Sequence, residues 1–415
     1  MERYSEYNPT SMQWLKEIPS HWEERKMKYC FSERSEKNHP EEPILCATQS
    51  QGVIPQSMYA NRVVVVNKGF EGLKLVREGD FVISLRSFEG GIEYAYYQGI
   101  ISAAYTILNP QNPLFSNYWK LLFKSQPYIQ LLQMCVTGIR EGQNINYPML
   151  SRSFIPLPPL AEQERIVSYL EDKTSKIDTY VAEKEKEILL LQELKQKTIA
   201  DAVTKGLNPN VKMKDSRTIF FGQIPEHWGE RKMKYCFIER SEKNHPEEPV
   251  LCATQSQGVI PQSLYQNRVV VVNKGFEGLK FVKVGDFVIS LRSFEGGIEY
   301  AYYQGIISAA YTILTPIENE YAGYFKLLFK CHPFIQVLQT CVTGIREGQN
   351  INYQMLGRKH IPHPPKDEQR AIVAYIEEKC QKIDTLVSEL QAEIDYMKEY
   401  KQRLVADCVT GQVKI

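Results

Sequence analysis

Short alternating apolar segments separated by glycine turns fill the first part of the chain, and a long proline-free segment of heptad periodicity follows. Arg62-Val63-Val64-Val65-Val66 is a β-branched run, Asp80-Phe81-Val82-Ile83-Ser84-Leu85 follows a turn at Gly79, and Gly99-Ile100-Ile101 leads toward Tyr105-Thr106-Ile107-Leu108. Such runs predict short strands in a compact domain. Asn117 to Cys135 reads as helix, with Trp119, Leu122, Phe123, Ile129 and Leu132 apolar and an early break at Pro127. Ile155-Pro156-Leu157-Pro158-Pro159 is an extended lead-in that cannot continue a helix.

From Ala161 to Thr204 there is neither proline nor glycine, and Gly206 supplies the stop. The same pattern runs from Asp367 to Thr410, with Gly411 behind it. Ile376, Ile383, Leu390, Met397 and Leu404 stand seven apart, with Ile372 and Leu386 between them; Ile166, Leu170, Ile177, Tyr180, Leu191 and Leu194 do the same less regularly. This is a coiled-coil seam, interrupted by Lys173 and Lys379. At about 1.5 Å per residue such a helix reaches roughly 66 Å, too long to lie against one small domain. Two of them in one chain are expected to pair with each other.

The recurrence is a duplication. Ile18-Pro19-Ser20-His21-Trp22 returns as Ile224-Pro225-Glu226-His227-Trp228, an offset of 206 residues that holds to Thr204 and Thr410. Between 24 and 108 only seven positions differ from the second copy: 32, 44, 58, 60, 75, 77 and 78. The period is too long for a solenoid repeat and marks a duplicated domain. The expected fold class is α+β: two repeated α/β globules separated by a long antiparallel two-helix coiled coil with pseudo-twofold symmetry. The expected boundaries are 1–157, a helix over 158–206, a linker and second globule over 207–363, and a second helix over 364–415.

Length and charge fit this division. The 415 residues exceed one ordinary core. The net charge is only +1, which excludes a polybasic chain held to DNA by bulk charge. The two globules each carry +2 and the helical segments −3 and −2, so any DNA contact points to the globules. A twofold pair of similar readers matches the symmetry of duplex DNA, and the helix length caps half-site separation near roughly 19 base pairs. No apolar run approaches a membrane span, and Met1-Glu2-Arg3-Tyr4 lacks an apolar signal region behind it, so a cytoplasmic location with no membrane partner is expected. Nine scattered cysteines without a C-x-x-C pair predict buried thiols, and no metal site is expected.

Candidates for base contact are side chains with paired donors and acceptors. They are Gln49, Gln51, Lys68, Arg86, Ser87, Arg140, Gln143, Asn144, Asn146 and Tyr147, with their counterparts Gln255, Gln257, Lys274, Arg292, Ser293, Arg346, Gln349, Asn350, Asn352 and Tyr353. For the loop from Thr137 to Tyr147, backbone support or phosphate contact stands beside base reading. Glu162, Gln163 and Arg165, with Glu368, Gln369 and Arg370, open the long helices and are candidates for partner docking; helix capping is the other role open to the acidic ones.

Several segments together resemble the specificity subunit of type I restriction-modification enzymes: Ile18-Pro19-x-His21-Trp22, Gly79-Asp80, Gly138-Ile139-Arg140-Glu141-Gly142-Gln143-Asn144, and Ile155-Pro156-Leu157-Pro158-Pro159-Leu160-Ala161-Glu162-Gln163 running on to Val167. The second copy repeats them through Val373. The resemblance implies a non-catalytic target-recognition subunit for double-stranded DNA. It implies two modification (methyltransferase) subunits and restriction (translocase/nuclease) subunits as partners. S-adenosylmethionine, ATP and Mg then belong to those partners, with no cofactor on this chain. The sequence agrees, having no Asn/Asp-Pro-Pro-Tyr/Phe methylation motif and no G-x-x-x-x-G-K-[ST] phosphate loop. Relatives usually carry two different recognition domains; the near identity here implies a near-palindromic split target. A coiled-coil protein–protein adaptor that never touches DNA is the competing expectation.

Overall fold

The structure, a computed structural model, describes residues 2–60, 69–137, 144–265, 275–317, 321–344 and 350–415. The run Arg62–Val66 lies outside them. The chain divides into two compact units: Met1–Glu185 with Ala392–Ile415, and Lys186–Gln391. Each is a β-rich globule completed by pieces of both long helices, Leu160–Lys205 and Lys366–Val409.

In the first unit a four-stranded antiparallel sheet has the order Phe31–Arg34, Thr106–Pro110, Phe81–Ile83, Glu93–Tyr94. The register pairs Leu108 with both Glu33 and Phe81. Alternation sends Phe31 and Phe81 inward, where they meet Trp119 and Phe123 of the following helices. Among the described residues five two-stranded pairs complete the unit: Leu45–Thr48 with Gly52–Pro55, Lys74–Val76 with Gly99–Ile101, Glu23–Lys26 with Phe154–Leu157, Tyr7–Pro9 with Glu17–Pro19, and Val136–Thr137 with Asn144–Ile145. The helix expected over 117–135 is two helices, Ser116–Leu122 and Gln126–Met134. Pro127 sits in the first turn of the second, where its missing N–H costs nothing, and the chain breaks at 123–125 instead. The second unit repeats this plan, with sheet order Phe237–Arg240, Thr312–Pro316, Phe287–Ile289, Glu299–Tyr300.

Within the first unit the helix pieces run antiparallel. There Lys401 pairs with Asp178 at 2.6 Å and Lys398 with Glu185 at 2.9 Å, so rising number on one helix meets falling number on the other. In the second, Lys195 meets Asp384 at 2.6 Å. Ile166, Leu170, Ile177, Ile376, Leu390 and Leu404 of the expected seam are buried, together with Val181 and Ile394. Leu194 and Leu386 are exposed instead. Lys173 and Lys379 face outward over the rings of Tyr169 and Tyr375. Gly206 and Gly411 end the helices with φ of 75° and 72°, the left-handed turn that only glycine adopts cheaply. No described helix is long and apolar enough to cross a membrane.

Two buried polar contacts tie each globule together. The Asp80 carboxylate takes Arg34 Nε at 3.0 Å and the backbone N–H of Arg77 at 2.8 Å. In the second unit Asp286 shares its charge between Arg240 at 3.4 Å and the Thr315 hydroxyl at 2.7 Å. The fully buried Tyr118 donates its hydroxyl to Val409 O at 2.7 Å, and Tyr324 to Val203 O at 2.8 Å.

These contacts set two expectations for denaturant unfolding. Asp80→Ala leaves the largely buried Arg34 guanidinium only the longer pairing with Glu36 at 3.7 Å among the described residues and should cost roughly 3 kcal/mol; a loss within about 0.5 kcal/mol of zero, the range of surface changes, would refute that role. Tyr118→Phe deprives a buried carbonyl of its donor and should cost about 1–2 kcal/mol, as should Tyr324→Phe.

Candidate nucleic-acid interface

The hairpin Leu45–Thr48/Gly52–Pro55 ends in the turn Gln49-Ser50-Gln51. Thr48 Oγ1 accepts from Gln51 N–H at 2.9 Å and donates to Gly52 O at 2.9 Å. Gly52 has φ of 73°, and a Cβ there would stand 2.6 Å from Tyr94 O, so both conformation and space demand glycine. The Gln49 side chain lies across Gly90, whose missing Cβ leaves the room: a Cβ at 90 would be 2.8 Å from Gln49 Cδ. One ammonium fastens the two turns. Lys124 Nζ donates to Gln49 O at 3.2 Å and Gly90 O at 2.9 Å, and pairs with the buried Glu93 carboxylate.

Beside this cluster Lys120 lies over the rings of Tyr94 and Tyr96, 3.8 and 5.2 Å from their centroids. Together these residues open on a groove of about 1030 Å³. The second unit builds the same groove, of about 500 Å³, from Gln255–Gly258, Glu299, Tyr300, Tyr302, Lys326 and Lys330. Burial pushes the Glu93 carboxyl up to about 7, against the opposing pull of Lys124; Glu299 shifts in the same direction for the same reason. Burial also lowers the Lys120 ammonium.

The candidate base readers separate into three groups. Gln49, Gln51, Arg86 and Asn144, with Gln255, Gln257, Arg292 and Asn350, are exposed. Others turn inward. Ser87 and Ser293 are buried, each hydroxyl accepting from the backbone N–H of Ser84 or Ser290 at 2.8 Å. Asn146 and Asn352 cap the short helices Tyr147–Leu150 and Tyr353–Leu356, accepting from Met149 N–H and Met355 N–H at 3.0 and 3.2 Å. Tyr353 donates to Phe237 O at 2.9 Å, and burial pushes Tyr147 up to about 12. Lys68, Arg140, Gln143, Lys274, Arg346 and Gln349 lie outside the described residues.

The docking candidates divide too. Glu162, Gln163 and Gln369 are buried, so a docking face cannot include them. Gln163 and Gln369 donate to Pro158 O and Pro364 O at 2.8 and 2.9 Å, fastening each lead-in to its helix. Glu162 takes His21 at 2.8 Å and the Tyr4 hydroxyl; Glu368, half-buried, takes His227 at 2.9 Å. Arg165 and Arg370 remain exposed. Eight of the nine cysteines are buried. The reader cluster around Lys124 escaped sequence reasoning because its members lie far apart in the chain; their identical recurrence at Lys330 was the available signal.

The family model "Type I restriction modification DNA specificity domain" matches residues 19–190, which hold the first globule and the start of its long helix. Over that segment the chain is similar to the specificity subunits of type I restriction-modification systems. It is 26% identical over 285 residues to the putative type I restriction enzyme MjaX specificity subunit of Methanocaldococcus jannaschii, covering 66% of this chain and 62% of that one. It also resembles a chain solved in a study of complex assembly and conformational transition of the type I R-M system. That likeness has a TM-score of 0.68 at 16% identity and covers 95% of this chain and 99% of the other. The HsdS subunit from Thermoanaerobacter tengcongensis matches with a TM-score of 0.52 at 17% identity, over 95% and 98% of the two chains.

The Glu93 environment sets a pH dependence. The folded state holds its proton up to about pH 7, while the unfolded carboxyl, with its usual value of 4.5, releases it lower. The folded state therefore binds more protons in that interval, and stability falls as pH rises from about 4.5 to about 7 and levels off above. Glu93→Gln should flatten this slope in urea titrations across the interval; an unchanged slope would assign it to other groups.

Proposed function

We propose that this chain is the DNA-sequence-specificity subunit of a type I restriction-modification complex. The single observation that carries the reading is the specificity domain matched at residues 19–190 and repeated almost unchanged 206 residues later. Each copy offers an exposed polar turn on a backbone whose own hydrogen bonds are satisfied, the arrangement that base reading needs. The chain does no chemistry of its own: it selects the site, and two modification subunits bound to it methylate the DNA. Restriction subunits supply translocation and cleavage. S-adenosylmethionine, ATP and Mg reside on those partners, and the assembly works in the cytoplasm. Arg165 and Arg370, with the outward faces of the long helices, are the docking candidates that remain exposed.

Because the two domains are nearly the same, the target is a half-site and its inverted, near-identical copy around an unspecified spacer. A methylation map of DNA from cells carrying the system should show such a near-palindromic split motif. Two unrelated half-sites would overturn that feature. A complex with modification subunits that shows no salt-sensitive DNA retention would overturn the DNA-specificity reading itself.

A further inference from the structure

The exposed candidates differ in how firmly they are held. Asn144 is held by its strand pairing with Thr137, and Arg86 stands immediately before the one-turn helix Ser87–Gly90 with no side-chain cap bond. The Gln49–Gln51 turn is fixed throughout. Its backbone is bonded by Thr48 and by Lys124, and Gly52 admits no other residue. Gly90 gives the Gln49 carboxamide its resting place. Yet among the described residues neither the Gln49 nor the Gln51 side-chain amide has a hydrogen-bond partner, and the same is true of Gln255 and Gln257. Four carboxamides are thus presented on rigid turns with donor and acceptor both unused.

We propose that Gln49 and Gln51 each read an adenine edge in the DNA major groove, and that Gln255 and Gln257 read the corresponding adenines of the other half-site. The proposal rests on the DNA-specificity reading and deepens it to named side chains. A carboxamide is the group whose C=O and N–H₂ match the N6 amine and N7 of adenine together. Lys124 and Lys330 are positioning residues: each spends its ammonium on the turn carbonyls and the buried carboxylate, so the turn is set before DNA arrives. Gly90 and Gly296 position Gln49 and Gln255 by leaving space. Gly90 lacks a positive φ, so alanine there suits the backbone and displaces the Gln49 side chain from Cγ outward.

The test uses the full chain in complex with its cognate modification subunit, read by methylation mapping and by competition binding among duplexes altered at one base pair. The Gln49→Ala/Gln51→Ala variant should relax the adenine requirement in one half of the motif by about tenfold or more. The other half should keep its full stringency, and that intact half reports a folded, assembled protein in the same experiment. Gln255→Ala/Gln257→Ala should do the converse, and Gly90→Ala should reproduce the loss seen with Gln49→Ala. An unchanged motif in both variants overturns the proposal. So does uniform weakening on all sequences, which marks a phosphate contact, or a wild-type motif without adenine in its half-sites. If the wild-type complex shows no sequence preference at all, the underlying DNA-specificity reading has failed instead.

Discussion

Each globule depends on a helix end delivered from elsewhere in the chain. Tyr118 has no exposed surface to speak of, and its hydroxyl donates to Val409 O, 291 residues away. Trp22 packs where Gly411 leaves space, and Tyr7 donates to Gly411 O at 2.8 Å. A buried hydroxyl without a partner costs on the order of 1–3 kcal/mol, so the helix end is a required part of the core and not an appendage. In the second unit the same duty falls to Val203 O and Gly206, beside Tyr324 and Trp228. The long helices are therefore constrained most strongly at their ends. Leu189, Leu190 and Leu194, between those ends, stay exposed.

That constraint explains why the polar chemistry is so compact. Short strands give a globule few ladder bonds, and its loops need fastening by side chains. Lys124 draws three acceptors from the 49 turn, the 90 turn and the edge strand at Glu93, while Asp80 gathers Arg34 and the Arg77 backbone. Burying these charges is unfavourable taken singly and tolerable as satisfied clusters. The rise of the Glu93 carboxyl records the residual cost.

Much of this was legible in the residues. The 206-residue repeat, the strands at 81–83, 99–101 and 106–110, and both long helices follow from periodicity and from glycine and proline. Burial at the two helix starts was not. Glu162 and Gln163 read as exposed polar residues, yet both are buried, Glu162 against Tyr4 and His21 and Gln163 against Pro158 O. Nor was the division of labour within 144–147. An asparagine that caps a helix and one that reads adenine use the same short amide, and only the Met149 N–H three residues on decides for Asn146. Pro148 in the first turn of that helix was the sequence clue. The Lys124–Glu93 pair spans 31 residues and two element types, beyond any local pattern.

The two copies also show where the surface is free to drift. Of the seven positions that differ between 24 and 108, five are exposed in the first unit: Ser32, Met58, Ala60, Arg77 and Glu78. The drift is not chemically mild, since Ser32 becomes Ile238, 60% exposed, and Glu78 becomes Val284, 62% exposed. Solvent-facing positions have thus accepted apolar residues, so exposure alone did not preserve the sequence. The turn at 49–51 is equally exposed and has not changed by a single residue, nor have Gly90, Glu93, Tyr94, Tyr96, Lys120 or Lys124 around it. Lys124 and Glu93 account for part of that identity through their buried pair. The Gln49 and Gln51 carboxamides, bonded to nothing among the described residues, contribute no such fold-supporting contact, and their identity goes with that of most positions between 24 and 108, which recent duplication explains as well as a shared ligand does.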